Sequence, residues 1–206
     1  ELKRAGILKT EEYNQLTSAY SFFQKLVNGL RMLRGSAKDL FLPDPKSEDY
    51  EYLARRIGYI NDESIESTQK LQLDFDTHTA TVRHFLENHF KDISLPIQQI
   101  ANVADLILAE NVSSELQTKV LTKKHFENIE RAYLNLKEMA NKLEESDRFL
   151  FARLAVLACN WISQKPDPDR TLNNWNRFTA AISNPKEHYK ILLKQPMRLE
   201  ILLDIF

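Results

Sequence analysis

Glycine, cysteine and long apolar runs are scarce in this chain, and each scarcity excludes a class of protein. Only 4 of the 206 residues are glycine, fewer than the turns of a sheet protein need, so long helices are favoured. Cys159 is the only cysteine, which excludes an intrachain disulfide and a cysteine-based zinc site and favours a reducing cytoplasm. No run of 18 apolar residues is present, so we expect no membrane partner.

The charges of the chain nearly cancel, with 28 Lys and Arg against 29 Asp and Glu and a formal net charge of −1. A nucleic-acid-binding protein usually has a basic excess, so we expect no nucleic-acid partner. Apolar residues make up 43%, which is ordinary for a soluble globular chain. The opening ELKRAGILKT has neither a Met nor the pattern of a signal peptide, which favours a piece of a longer cytoplasmic protein.

Helical patterns fill the first quarter of the chain. Apolar residues recur every three or four positions over 19–33, which predicts one long helix over about 10–34. Gly35 ends that helix, and two prolines delay the next one. The second helix is predicted to start at the N-cap Ser47 and to close at Gly58, with its inward positions including Tyr52.

Further helical patterns follow, separated by prolines. We predict helices over about 62–90 and 95–110, one or two helices over 115–143 with a bend at Lys123–His125, and a buried helix over 147–164. Three more prolines predict three short helices in series, starting near Pro168, Pro185 and Pro196.

The predicted fold class is therefore all-α, with seven to nine helices and no sheet. We expect an N-terminal helical bundle over 1–92 and a second helical region over 93–206.

Two parts of the chain resemble one known family. The first lies within Ala19–Tyr59 and reads AYSFFQKLVNGLRMLRGSAKDLFLP, followed shortly by LARRIGY. It is similar to the helical domain that follows a nucleotidyltransferase domain in glutamine synthetase adenylyltransferases, and more loosely to that of PII uridylyltransferases. The second part reads PDPDRTLNNWNRF (Pro166–Phe178) and HYKILLKQPMRLEILLDIF (His188–Phe206). It resembles the helical connector to the second transferase domain of the same enzymes.

This resemblance implies a non-catalytic helical linker or regulatory part of a nucleotidyltransferase that serves nitrogen regulation. Such enzymes transfer AMP from ATP to glutamine synthetase and remove it again. The resemblance implies ATP and Mg²⁺ for the parent enzyme but no cofactor in this chain. The implied partners are nucleotidyltransferase domains of the same chain, glutamine synthetase and the PII protein. Two alternatives stay open: the helical domain of a PII uridylyltransferase or a related signalling nucleotidyltransferase, and a stand-alone helical protein-interaction module.

A nucleotidyltransferase head needs a Gly-Ser turn after a strand and an Asp-x-Asp pair on a neighbouring strand, where both carboxylates face one Mg²⁺. Gly35–Ser36 follows a predicted helix and not a strand, so it does not fit the Gly-Ser turn of such a head. Asp74 and Asp76 lie mid-helix, where residues two apart point away from each other. Asp167 and Asp169 lie in a proline turn, where aspartate usually caps a helix. We therefore predict no catalytic residue and no activity for this chain alone.

The other reactive side chains fit structural roles. The histidines lack metal-ligand spacing, so no metal site is predicted. Asp74 and His78 are four residues apart and are expected to be able to pair on a helix surface. Cys159 lies in the most apolar helix and is expected to be a buried, inert thiol. Three large aromatic residues are expected to pack in the core rather than to anchor a partner: Trp161, Trp175 and Tyr189.

Five basic residues on the first two helices form the candidate contact surface of the chain. They either face a transferase domain and hold phosphates or acidic side chains, or they are solvated and pair with nearby acids such as Glu51. Where the adenylyltransferases often have a Glu-His pair, this chain has Val27 and Asn28, so we expect no direct catalytic contribution from the first helix. The five residues are Arg31, Arg34, Lys38, Arg55 and Arg56.

Overall fold

The structure is a computed structural model that describes residues 8–35, 40–62, 65–89 and 101–206. Within these ranges the chain forms ten α-helices and no strand, which confirms the all-α prediction. The number of helices exceeds the predicted seven to nine because the pattern over 115–143 is divided into two helices.

The helices begin and end at positions that the capping residues mark. They are α1 (Thr10–Arg34), α2 (Glu48–Arg56), α3 (Ser67–His89), α4 (Val103–Leu108), α5 (Ser114–Thr122), α6 (Ile129–Ala140), α7 (Arg148–Ile162), α8 (Pro168–Ala180), α9 (Pro185–Lys194) and α10 (Pro196–Ile205). A 3₁₀ turn over Glu145–Asp147 precedes α7.

The chain divides into two compact units, Glu1–Val82 and Arg83–Phe206, so that α3 contributes to both. The domain limits predicted from the sequence, 1–92 and 93–206, stay a prediction.

In the first unit, α1 and α2 approach each other closely at Gly29. A Cβ placed on Gly29 would lie 2.7 Å from Cγ2 of Ile57 and 2.8 Å from Cδ1 of Leu53, so only glycine fits this contact without a shift. The predicted apolar stripe of α1 is confirmed by the buried residues of this core: Phe22, Leu26, Leu30, Tyr50, Leu53, Ala54 and Leu71.

The ends of α1 and α2 are those the sequence predicted. Gly35 ends α1 in the left-handed region with φ 64°, and Gly58 follows α2 with φ 107°. The Oγ of Ser47 accepts a hydrogen bond from Tyr50 N at the start of α2. The predicted inward position of Tyr52 is wrong: it is 54% exposed, and Tyr50 is buried instead, because 50, 53 and 57 share one helical face and 52 does not.

The second unit is built around α7, of whose 15 residues ten are buried. It packs against α4, α6, α8, α9 and α10, as expected of a helix that is apolar on nearly every side. Phe151 of α7 contacts Trp175 and Tyr189, with ring centroids 5.9 and 5.0 Å apart. Both partners are fully buried and Trp161 is 7% exposed, so the predicted core role of these three aromatic residues is confirmed.

The three prolines each occupy the first position of a helix, as predicted. The predicted bend at Lys123–His125 is also confirmed, because His125 adopts φ 62° between α5 and α6. The helix predicted over 95–110 is partly wrong: Asn102 is an N-cap, and α4 spans only Val103–Leu108. Residues 95–100 lie outside the described ranges.

Candidate functional site

The structure separates the basic residues that the sequence grouped. Arg31 and Arg34 are exposed on α1 and form no ion pair within the described ranges. Arg55 pairs with Glu51 one turn earlier on α2, which is the alternative weighed for it. Arg56 donates from Nη1 to the Tyr52 hydroxyl at 3.3 Å and from Nη2 to the Met32 sulfur at 3.2 Å. Lys38 lies outside the described residues.

Helical geometry explains why these cations do not form one patch. At 100° per residue, Arg34 lies roughly 160° around the α1 axis from Met32, which is the residue that Arg56 contacts. Arg34 therefore faces away from the line where α1 meets α2. What the structure gathers is a smaller group, Met32, Tyr52 and Arg56, which we call the α1–α2 seam. The role of the five basic residues as interdomain contacts stays a prediction.

The α1–α2 seam has the composition of a protein contact. Met32 and Tyr52 are 64% and 54% exposed, and Arg56 is held between them by the two contacts above. Aromatic, methionine and arginine side chains are enriched at protein interfaces. The sequence analysis missed Met32 because nothing in the spacing showed that α1 and α2 meet at Gly29, three residues earlier on α1.

The two Asp-x-Asp pairs have structural hydrogen bonds. Asp74 accepts from the Tyr59 hydroxyl at 2.6 Å, and Asp76 accepts from Gln72 Nε2 at 2.9 Å. Asp167 caps α8 by accepting from the backbone N–H of Arg170 at 2.9 Å. The carboxylates of Asp74 and Asp76, which both lie on α3, therefore accept from different residues, and Asp167 acts as the predicted cap.

Asp169 holds the start of another helix. Its two carboxylate oxygens accept from the backbone N–H groups of Glu127 and Asn128 at 2.8 and 3.2 Å, just before α6. The second Asp of the PDPD stretch therefore ties α8 to α6, a role that sequence spacing alone did not reveal.

The asparagines that follow in the same stretch extend this link. Asn176 is 6% exposed, and its Nδ2 donates to Asn135 Oδ1 at 3.0 Å and to Glu138 Oε2 at 2.6 Å, both on α6. Asn174 Nδ2 donates to the carbonyl of Phe206 at 3.1 Å. Side chains of the RTLNNWNRF stretch thus link α8 to α6 and to the last residue, and we call these hydrogen bonds the brace of α8.

His78 and Cys159 are packing groups. His78 is 7% exposed, and its ring lies 4.9 Å from that of Phe22, so the expected surface position of an Asp74–His78 pair is wrong. Cys159 is fully buried, and burial raises the pKa of its thiol to about 12, as an inert thiol requires. In the part of the chain that the structure describes, no group of three or more His, Cys, Asp and Glu is placed to hold a metal ion.

A buried ion pair that the sequence analysis missed joins α3 to α4. Arg83 donates from Nε to Asp105 Oδ1 at 2.8 Å and from Nη2 to Oδ2 at 2.6 Å. Both side chains are 7% exposed. Asp105 also accepts from the backbone N–H of Asn102 at 2.7 Å, so one carboxylate caps α4 and binds α3.

Of the described helices, none is both long and apolar enough to cross a membrane.

Comparison with known proteins agrees with this helical arrangement. A family model described as GlnD PII-uridylyltransferase matches residues 1–90. The bifunctional glutamine synthetase adenylyltransferase/adenylyl-removing enzyme of Mycobacterium leprae is 24% identical over 195 residues. The enzymes of the same name from Mycobacterium avium and Mycobacterium tuberculosis are each 23% identical. No solved structure matches.

The alignments cover very different shares of this chain and of its relatives. The three alignments cover 95% of this chain but only 19% of each relative, so the chain spans about a fifth of the length of the curated relatives it matches. The resemblance read from the motifs is confirmed: the chain is similar over 95% of its length to glutamine synthetase adenylyltransferases, and residues 1–90 match the PII-uridylyltransferase model.

Proposed function

We propose that this chain is the non-catalytic helical linker of a glutamine synthetase adenylyltransferase-like nucleotidyltransferase, and that it carries regulatory signals between catalytic domains. The observation that supports the proposal is the alignment of this chain, over 95% of its length, with about one fifth of bifunctional enzymes. In addition, the regular secondary structure of the described residues is entirely helical. Packed helices fix distance and orientation, and they can shift as bodies between two arrangements.

The chemistry of the longer protein follows from the relatives. Their name includes both an adenylyltransferase and an adenylyl-removing activity on glutamine synthetase. We infer that ATP, Mg²⁺, glutamine synthetase and the PII protein are used by the parent enzyme in the cytoplasm. This chain would contribute position and coupling, since the carboxylates of both its Asp-x-Asp pairs serve hydrogen bonds between or within helices.

Transfer of labelled AMP tests the non-catalytic part of the proposal. The isolated chain, mixed with ATP, Mg²⁺ and glutamine synthetase, should transfer no label to the synthetase and remove none from the adenylylated form. The parent enzyme at the same concentration is the positive control. Transfer by the isolated chain would contradict the proposal.

An insertion in the longer protein tests the coupling part. A short Gly-Ser segment placed after Ser183, between α8 and α9, should keep both basal activities and abolish their response to regulators, because a flexible linker transmits no orientation. The same segment added at a terminus is the control. A full regulatory response in the inserted variant would show that the helices do not carry the signal.

The second candidate is the helical domain of a PII uridylyltransferase, which the match over residues 1–90 favours. A parent that transfers UMP from UTP to PII, and not AMP from ATP to glutamine synthetase, would select it. A stand-alone interaction module is the third candidate, for which the exposed α1–α2 seam is the supporting observation.

A further inference from the structure

A polar cleft of about 390 Å³ lies in the first unit, where α2 and α3 both begin. Its volume is within the range of small-molecule sites, which are usually lined by apolar side chains. Among the described residues that line this cleft, only Pro45 is apolar, so the cleft favours a polar or charged ligand. Neither the proposed linker role nor the family resemblance uses it. The lining residues are Pro45, Lys46, Ser47, Glu48, Glu51, Asn61, Glu66, Ser67 and Thr68.

One wall of the cleft holds a buried hydroxyl without a hydrogen-bond partner. Ser67, the first residue of α3, is 0% exposed, and its Oγ bonds to none of the described residues. Its backbone N–H donates to Asn61 Oδ1 at 2.7 Å, which fixes the start of the helix. A buried hydroxyl that is left unsatisfied costs stability, and a polar group of a ligand in the cleft would remove that cost.

Two carboxylates of the lining have no cationic partner within the described ranges. Glu48, in the first turn of α2, is exposed and forms no ion pair there. The Glu66 carboxylate, just before α3, accepts a single long hydrogen bond from those ranges, from Thr68 Oγ1 at 3.4 Å. Glu51 differs, because Arg55 pairs with it. Acidic residues are common at helix starts because they offset the helix dipole, but the dipole does not account for the unsatisfied hydroxyl in the same cleft.

The arrangement of the acidic side chains favours an organic cation over a metal ion. Three glutamates line the cleft, yet no group of three or more metal-ligating side chains in the described part of the chain is placed to hold one ion. An organic cation with two ammonium groups can meet two separate carboxylates. Each ammonium also has three N–H donors, so one of them can donate to a hydroxyl oxygen as well.

We propose that this cleft binds a small organic diamine, whose two ammonium groups pair with Glu48 and Glu66 and of which one donates a hydrogen bond to Ser67 Oγ. A monoamine would leave one of the two carboxylates without a countercharge, and each charge-assisted contact adds to the affinity of the diamine. Lys46 also lines the cleft and is exposed. Its charge opposes a cationic ligand, so its removal should strengthen the binding of a diamine.

Titration of the chain at low salt, followed by NMR chemical shifts, tests the proposal. The probes are 1,3-diaminopropane, 1,4-diaminobutane and 1,6-diaminohexane, which separate the two charges by increasing lengths, with butylammonium, Ca²⁺ and acetate for comparison. At least one diamine should bind saturably and about tenfold more tightly than butylammonium, with shifts centred on the lining residues. Added salt should weaken this binding, because the contacts are between charges near the surface.

Matched variants of the glutamates assign the two ammonium contacts. Glu48→Gln and Glu66→Gln should each weaken binding of the tightest diamine about tenfold, to the level of butylammonium. Both side chains are exposed, so the variants should fold. Glu11→Gln is the control, because Glu11 is an exposed first-turn glutamate of α1 that does not line the cleft, and it should leave the affinity unchanged.

Two further variants distinguish a binding role from a structural one. Ser67→Ala should weaken diamine binding about tenfold without lowering the melting temperature of the free chain, because its Oγ makes no hydrogen bond to the described residues. Lys46→Gln should strengthen diamine binding, whereas it would weaken the binding of an anion.

Four outcomes would overturn the proposal. They are no saturable binding of any diamine, butylammonium or Ca²⁺ binding as tightly as every diamine, acetate binding that Lys46→Gln abolishes, and diamine affinity unchanged in both glutamate variants. Because no step of this test uses nucleotide transfer or regulation, its failure would leave the linker proposal intact.

Discussion

Single residues decide how closely the helices of the first unit approach. Gly29 is the clearest example, because a methyl group there would enter the space of Leu53 and Ile57. The sequence shows a glycine in the middle of a helical pattern, where its cost of about 1 kcal/mol relative to alanine is the only local signal. The reason for it lies on α2, and no spacing rule within α1 could have supplied that reason.

Gly29→Ala should therefore lower the free energy of unfolding, although alanine is the better helix former. Overpacking costs about 1–3 kcal/mol and the gain in helix propensity is about 1 kcal/mol, so we expect a net loss of about 1 kcal/mol. Urea denaturation measures it. Asn28→Ala, an exposed position on the same helix, is the control and should be neutral or slightly stabilising. A Gly29→Ala variant more stable than the wild type would show that α2 yields to the methyl group.

The partly buried His188 leads us to predict that the stability of the chain depends on pH. Its ring lies against Phe178, 5.7 Å between centroids, and burial lowers the pKa of the imidazole below its usual 6.5. The unfolded chain therefore takes up a proton first as the pH falls. The stability from the neutral ring is present above about pH 6.5 and is lost as the pH falls through the folded pKa.

His188→Asn should remove this part of the pH dependence. Thermal unfolding between about pH 5 and 7.5 should show a smaller change in melting temperature than in the wild type. His125→Asn changes an exposed histidine that accepts the same left-handed backbone, and it should keep the wild-type slope. Equal slopes for His188→Asn and the wild type would mean that other groups set the pH response.

At the scale of elements, side chains of α8 hold α6. Asn176 gives both hydrogens of its amide to α6, whereas Asn173 is only the distant acceptor, at 3.4 Å, of a bond from Arg131. Asn135 is 1% exposed, so losing its donor would leave its carbonyl oxygen buried and unsatisfied.

Asn176→Ala should destabilise the chain by about 1–3 kcal/mol, the cost of an unsatisfied buried polar group. Asn173→Ala is the matched control in the same stretch and should cost much less, because its bond is long and solvent-accessible. Chemical denaturation of the two variants measures the difference. Equal losses would show that the brace is not specific to the buried asparagine.

The elements themselves follow from local chemistry to a large extent. Gly35, Ser47 and the three helix-starting prolines act within one turn of the chain, so the sequence alone predicts the ends they set. The sequence analysis predicted Tyr52 as an inward-facing residue of α2, whereas Tyr50 is the buried one. The two side chains are chemically alike, and only their position on the helix relative to Leu53 and Ile57 distinguishes them. The contacts of Asp169 and Asn176 were not predictable because their partners lie about forty residues away.

At the scale of the whole molecule, the ion pair between α3 and α4 joins residues too far apart in the sequence for local patterns to predict their contact. Arg83 and Asp105 are 22 residues apart, and neither position shows a motif. What the sequence predicts is thus the helices and the family, and what it does not predict is each contact made between distant helices.

The ion pair supplies the last prediction, a double-mutant cycle on the second unit. Arg83→Met or Asp105→Leu alone should cost about 3–5 kcal/mol, because each removes the opposite charge of the pair from a charge that stays buried. The double variant should cost less than the sum of the two, since neither charge of the pair remains and the hydrogen bond from the backbone N–H of Asn102 is lost only once. Unfolding free energies of the four proteins give the coupling energy. Strict additivity would mean that solvent reaches the unpaired charge, and the two helices would then be held by their apolar contacts rather than by the pair.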